Sequence, residues 1–469
     1  MSDSSPSTPD QTAVDRALID AVQLGMPSTI ADLSALVRIP SVSWAAFDPA
    51  HVQSSAEAVA ALAEATGVFD SVRIARAAIG DTEELGQPAV LAHRAARNGA
   101  PTVLLYAHHD VQPPGRDEDW DTLPFEPTVV GDRLYGRGAA DDKAGVMAHI
   151  ASIRALTEVL GDGFDLGLAL FIEGEEEFGS RSFETFLAEN ADELRADAIV
   201  VADSGNWDDV TPALTVSLRG NVTFRLTVRP LEHASHSGMF GGAVPDAMLV
   251  MIRLLSSLWN EDGSVAVEGL TSREGMTPDY DEAQLRSETG LIDGVQPIGA
   301  GSLLSRIWWQ PSITVTGIDA PTVANASNTL IPEVSVRVSA RIAPGQSAAE
   351  AADAIVRHLE ANAPFGVVPT IDDIDTGNPF LVDTSGPIVA ATKRAMADAW
   401  GVEPVDFGVG GSIPFIASLV ESFPDAEILV TGVEDPHSRA HSPNESLHLG
   451  VFHRAVLSEA LLLARLSSR

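Results

Sequence analysis

The sequence predicts an α/β architecture: a mixed, largely parallel sheet flanked by helices, plus an inserted α+β domain. Three observations carry this. Residues 102–106, 166–172 and 198–202 are continuous apolar, β-prone runs, the mark of strands buried on both faces, and a helical pattern separates the first two. Near residue 214 the pattern changes to the polar–apolar alternation of half-exposed antiparallel strands. After Asp375 helices and a buried strand resume, so the chain leaves its first domain and returns to it. The expected boundaries are 1–213, 214–375 and 376–469.

From the amino terminus, residues 12–37 read as helix interrupted near Pro27, with Ser28 as a new N-cap. Residues 52–66 read as an alanine-rich helix, and 71–77 and 89–94 as strands. The buried run 102–106 leads into Ala107-His108-His109-Asp110. Those polar groups fall at the carboxyl end of a central strand, the edge where open α/β sheets bind ligands. A glycine-rich loop, Gly136-Arg137-Gly138-Ala139-Ala140-Asp141-Asp142, precedes a helix over 143–160. The strand 166–172 runs into Glu173-Gly174-Glu175-Glu176-Glu177-Phe178-Gly179-Ser180, and 198–202 into Asp203. Three times, a buried strand ends in a metal-capable side chain.

In the inserted segment, 215–219 and 222–229 alternate and predict a hairpin turning at Gly220-Asn221. A helix at 246–258, strands at 312–316 and 334–342, and a helix at 347–361 follow; 260–301 reads as loop with short helices. The last segment offers a helix at 387–400, a glycine-rich loop at 408–414, a strand at 427–431 and a helix at 447–466.

Composition excludes several functions. The 469 residues suffice for two domains with real cores, and 45% are apolar, which excludes wholesale disorder. The formal charge is −37, from 29 basic and 66 acidic residues, a field that repels nucleic acid and anionic lipid. There is no cysteine, so any metal must sit on His, Asp and Glu. No run of about 18 apolar residues is present to span a membrane. Residues 1–10 are polar and Ser/Pro-rich, unlike a signal peptide, so a cytoplasmic location is the expectation.

The strand-end groups are His108, Asp110, Asp141, Glu176 or Glu177, Asp203 and, later, His441. Each has a bland reading: Asp141-Asp142 as a helix cap, a lone histidine as a hydrogen-bonded structural residue, the glutamates as a solvated turn, Asp203 as a turn cap. Together they form a set of imidazoles and carboxylates that suits zinc, manganese or cobalt. Two histidines and three or four carboxylates suffice for two metals sharing a bridging aspartate. Neither a phosphate-binding Gly-Lys-Ser/Thr loop nor a Gly-x-Ser-x-Gly elbow is present.

These motifs, in this order over nearly the whole chain, resemble the di-zinc metallopeptidases. That family includes carnosine dipeptidases, cytosolic non-specific dipeptidase, acetylornithine deacetylase and succinyl-diaminopimelate desuccinylase. The stretches that carry it are residues 107–111, 136–138 with 141–143, 176–180, Asp203 and 440–445. Val111-Gln112-Pro113-Pro114, His236-Ser237-Gly238 and Gly410-Gly411-Ser412-Ile413-Pro414 are similar to its dipeptidase branch.

The resemblance implies a catalytic domain with an inserted lid and dimerisation domain, in a homodimer acting on small peptides. It implies two divalent metal ions, zinc first, with manganese or cobalt as alternatives. His108 and Asp203 would hold one, Glu177 and His441 the other, and Asp141 both, through a cis Asp141–Asp142 peptide. His437 is a rival ligand to His441. Asp110 would orient His108, and Glu176 would be the general base for a hydroxide bridging the metals. His236 would reach the partner's active site as an oxyanion donor, while Arg341, Asn328, Gly411 and Ser412 would hold a substrate carboxylate. The implied reaction is hydrolysis of a peptide bond in dipeptides or similar small amides with a free carboxylate. Alternatives are an N-acyl amino acid deacylase on the same scaffold and a non-catalytic metal-binding assembly protein. A free base such as Glu176 argues against the latter.

Overall fold

In the computed structural model, residues 11–467 are described apart from 162, 276, 412 and 413. The chain divides into two compact units: Met1–Thr215 with Asp383–Phe407 and Ser418–Arg469, and Val216–Val382 with Gly408–Ala417.

The first unit is built on strands β1 (Ser71–Ala75), β2 (Ala89–Arg94), β3 (Thr102–His108), β4 (Gly167–Glu173), β5 (Ala198–Val201) and β7 (Glu427–Val430), with β6 (Ala213–Leu218) starting in it and continuing into the second unit. Their order is β1-β2-β4-β3-β5-β7-β6. The centre, β4-β3-β5-β7, is parallel, and the pairs β1/β2, β2/β4 and β7/β6 are antiparallel. All seven residues of β4 are buried, as are Val103 to His108 of β3, which explains why these strands read as unbroken apolar runs. β3 lies between the two strands that follow it. The chain crosses from β3 to one neighbour and then, after β4, to the other. Such a reversal opens a crevice at the carboxyl ends of the strands.

Helices α1 (Gln11–Val37), α2 (Pro49–Ala65), α3 (Lys143–Leu160), α4 (Phe183–Leu194), α5 (Pro387–Trp400) and α6 (Leu449–Ser467) complete this unit. α3 packs against α1, α6 and β3, and is buried along most of its length. The predicted break at Pro27 does not occur, because α1 runs through it. Proline removes only one main-chain donor there, and Ser28 lies inside the helix with its hydroxyl, like that of Thr29, donating to the Gly25 carbonyl rather than capping a new helix. Among the described residues no helix is long and apolar enough to cross a membrane.

The second unit holds a four-stranded antiparallel sheet in the order Ser312–Asp319, Val334–Ile342, Gly220–Val228, Thr370–Gly377. Val222, Phe224, Leu226 and Val228 face its core together with Val334, Val336 and Val338, packed with residues of the helices Ala247–Ser256 and Ala348–Asn362. Asp246 caps the first helix and Ser347 the second. The predicted hairpin at Gly220-Asn221 is absent. Gly220–Val228 alternates as expected, but all six residues of β6 are buried, so the two strands join different sheets with Arg219 between them.

Candidate functional site

The parallel strands deliver their polar ends to one place. His108 closes β3, Glu176 and Glu177 lie in a short 3-10 turn beyond β4, Asp203 follows β5, and His441 lies in the loop after β7. His108 Nε2 is 3.1 Å from Asp141 Oδ1, and His441 Nε2 is 3.0 Å from Asp141 Oδ2. His441 Nε2 is also 3.2 Å from Glu177 Oε2. Asp203 Oδ1 and Glu176 Oε2 each approach His108 Nε2 to 4.0 Å. Two sets of donor atoms could each hold a metal ion: His108, Asp141 and Asp203, and Asp141, Glu177 and His441. Asp141 belongs to both. Glu176 belongs to neither, and His437 is exposed and outside both sets.

Electrostatics point the same way. Burial opposes ionisation of His108, yet Asp110 and Asp141 outweigh it and hold the imidazole well above its ordinary pKa. Asp141 and Glu177 hold His441 up at about 11. Burial, then the Asp141 charge, pushes Glu177 up to about 7; burial pushes Asp203 up to about 6 and Glu176 well above the usual range. Neighbouring carboxylates raise one another in this way when cationic charge is short. The donor set, all nitrogen and oxygen, therefore fits divalent ions of the zinc, manganese or cobalt kind.

Around this centre lies a layer of saturated groups. His108 Nδ1 donates to the Asp110 carbonyl at 3.1 Å, with the Asp110 carboxylate 3.4 Å away. That carboxylate accepts the main-chain N–H of both Glu176 and Glu177, at 3.1 and 3.2 Å, and the Ser43 hydroxyl at 2.7 Å. Asp110 thus fixes His108 and the two glutamates at once. Asp142 caps α3 through Gly145 N–H and also accepts His108 N–H. The Asp141–Asp142 peptide is cis. Lys143 stays away from the centre: its ammonium donates to the Leu36 and Ile39 carbonyls at the end of α1, and burial lowers its pKa to about 7.

Three supporting residues were not assigned from the sequence. Gln112 donates to both oxygens of Glu177, at 3.1 Å from its main chain and 2.6 Å from its side chain. Glu445, fully buried, accepts from Arg137 at 2.6 Å and from the amides of Gly138, Ala140 and Asp141 at 2.9–3.1 Å. Glu434 pairs as a parallel bridge with Gly205, two residues beyond Asp203. Gln112 and Glu445 lie inside the motifs that carry the resemblance, whereas nothing local marks Glu434, and the partners of all three are distant in sequence.

The second unit carries the other expected residues. His236 is exposed; its Nδ1 accepts Gly238 N–H, and Ser237 N–H donates to the carbonyl of exposed Asn328 at 3.0 Å. Arg341 is half-buried and pairs with Ser312 in register. Arg219, missed from the sequence, donates to Gly410 O at 3.1 Å and Ser312 Oγ at 3.2 Å. Burial and then the Arg341 charge lower its pKa to about 10, so the two guanidiniums and the Gly410-Gly411 loop gather positive potential in this unit. Ser412 lies outside the described residues.

Residues 104–465 match the Peptidase family M20/M25/M40. The chain belongs to this family. It is 36% identical over 369 residues to the cysteinylglycine-S-conjugate dipeptidase of Corynebacterium striatum, covering 78% of this chain and 81% of that protein. It is 28% identical over 402 residues to the Beta-Ala-His dipeptidase of Rattus norvegicus, covering 81% and 80%. The solved structure of the di-peptidase Dug1p from Saccharomyces cerevisiae matches with a TM-score of 0.75 at 23% identity, over 97% of this chain and 99% of that one. Human carnosine dipeptidase 1 matches with a TM-score of 0.72, also at 23% identity, over 97% and 100%. As an M20 member the chain is an enzyme, a metallopeptidase-type hydrolase resembling dipeptidases.

Proposed function

We propose that this M20 enzyme hydrolyses the peptide bond of dipeptides, or of similar small amides with a free carboxylate, using two divalent metal ions. Asp141 carries the reading: its two oxygens face His108 and His441, one each, while Glu176 stays outside both donor sets. His108, Asp141 and Asp203 would hold one ion, and Asp141, Glu177 and His441 the other, with zinc the first candidate. When bound, such ions polarise an amide carbonyl and acidify water.

Glu176 does the proton work. Asp110 fixes its main chain, which holds its carboxylate in place to take a proton from water. It then delivers that proton to the departing amine. Arg341, with the amides of Gly411 and Ser412 and with Asn328, grips the substrate carboxylate, and Arg219 reinforces that positive site by holding Gly410. His236 supplies the oxyanion donor from the partner subunit of a homodimer.

Metal analysis with a panel of dipeptides and N-acyl amino acids tests this, with and without chelator. The expected result is two ions per chain and dipeptide cleavage that chelation abolishes and zinc restores. Clearly fewer than two ions after remetallation, or faster cleavage of acyl amino acids, overturns it.

A further inference from the structure

We propose that Glu434 binds the free amino group of the substrate and thereby makes the enzyme selective for unblocked dipeptides over N-acyl amino acids. This rests on the dipeptidase reading and extends it to the other end of the substrate. In a dipeptide one carbon separates the ammonium nitrogen from the scissile carbonyl carbon, so the two lie about 2.5 Å apart. A partner for that ammonium must border the metal-binding carboxylates themselves.

The acidic groups there can be taken in turn. Asp141, Glu177 and Asp203 belong to the metal-binding sets. Glu176 is the base. Asp110, Asp142 and Glu445 have their oxygens occupied by main-chain amides, a serine hydroxyl and Arg137. Glu434 differs: its Oε1 is buried and has no hydrogen-bond partner among the described residues.

Its backbone is held firmly beside the Asp203 segment. It bridges Gly205, and its carbonyl accepts Asn206 N–H at 2.8 Å and the Asn206 side-chain amide at 3.1 Å. The Asp141, Asp203 and Glu445 carboxylates act on its side chain and, after burial, penalise its negative charge. A buried acceptor left without a partner is costly, and an arriving ammonium supplies it with a donor. Glu173 also has an unpartnered oxygen, but the Tyr106 hydroxyl donates to its other oxygen and burial raises its pKa to about 8, leaving it neutral on β4.

Alanylglycine and propionylglycine make the test, because they share a carbon skeleton and differ by the amino group. The wild-type holoenzyme should favour alanylglycine in kcat/KM. Glu434→Gln should lower that value about 10–100-fold, mainly through KM, the weight of a hydrogen bond between charged groups. Propionylglycine cleavage should change by less than about 3-fold on the same scale, with metal content unaltered and the melting temperature not lowered. Calorimetric binding of both ligands to Glu176→Gln, with and without Glu434→Gln, should show the same split without turnover. Equal losses on both ligands, or an unchanged preference, overturn the role of Glu434 while leaving the dipeptidase reading intact. Wild-type enzyme that cleaves propionylglycine as fast as alanylglycine removes that reading as well. If Glu434→Gln does not fold, Glu434→Asp decides: keeping the charge must keep the preference for alanylglycine, and its loss overturns the proposal.

Discussion

The two units present their working residues in opposite ways. In the first, His108, Asp141 and Glu177 are buried and hydrogen-bonded neighbours fix each of them, with His441 alone of the two donor sets exposed. In the second, His236 and Asn328 are exposed and Arg341 is half-buried. The difference fits the chemistry proposed for each. Metal-binding carboxylates must converge against their own repulsion, which only a rigid, hydrogen-bonded frame permits. Groups that meet a substrate must stay reachable, and what they lack in fixity the substrate's own charge can supply.

The sharpest way to break this contrast is to remove proton transfer without touching the frame. Glu176→Gln should reduce kcat about 10²–10⁴-fold with two metal ions still bound, whereas Glu177→Gln should lose activity through lost metal and recover partly in excess zinc. Near-normal kcat in fully loaded Glu176→Gln would show that another group is the base. Removing the frame itself comes next. Glu445→Ala leaves Arg137 as an unpaired buried charge and frees three amides, so stability should fall by about 3–5 kcal/mol with loss of metal, read by denaturant titration and metal analysis.

A third measurement concerns a buried carboxyl outside the metal-binding sets. In the unfolded chain Glu173 ionises near 4.5, whereas burial in the fold keeps it protonated up to about 8. Between those values the folded protein binds more protons, so this contribution is full below about 4.5 and is lost as the pH rises to about 8. Glu173→Gln, a neutral isostere, should flatten that slope and gain about 3 kcal/mol relative to wild type at pH 7. Parallel melts at pH 5 and pH 8 check it. The smallest effect belongs to the second unit. Arg341→Ala should lower kcat/KM for dipeptides about 10–100-fold with stability and metal content unchanged, and should have no effect on dipeptide amides, which lack the carboxylate.

Much of the first unit was legible because its evidence is local. An unbroken apolar run ending in His108 or Asp203 announces both a buried parallel strand and a polar group at its tip. Helix α3 was readable from end to end, since Asp142 caps it and Gly161 stops it. What stayed hidden depends on partners far along the chain. Ser28 looks like a cap until its hydroxyl is seen to satisfy Gly25. The strands on either side of Arg219 look like a hairpin until complete burial places β6 in the large sheet. Gln112, Arg219 and Glu434 are polar residues with no periodicity to mark them, and their importance lies in which atom each one meets.

The Glu445 carboxylate reaches loop amides 304 to 307 residues before it. During synthesis the loop that carries Asp141 leaves the ribosome long before the side chain that gives it shape. His441 also arrives late, four residues ahead of Glu445. Contacts of such long sequence separation form slowly and after local structure. The set of Asp141, Glu177 and His441 is therefore complete only once the carboxyl-terminal segment has docked, whereas His108, Asp141 and Asp203 all precede it in the chain.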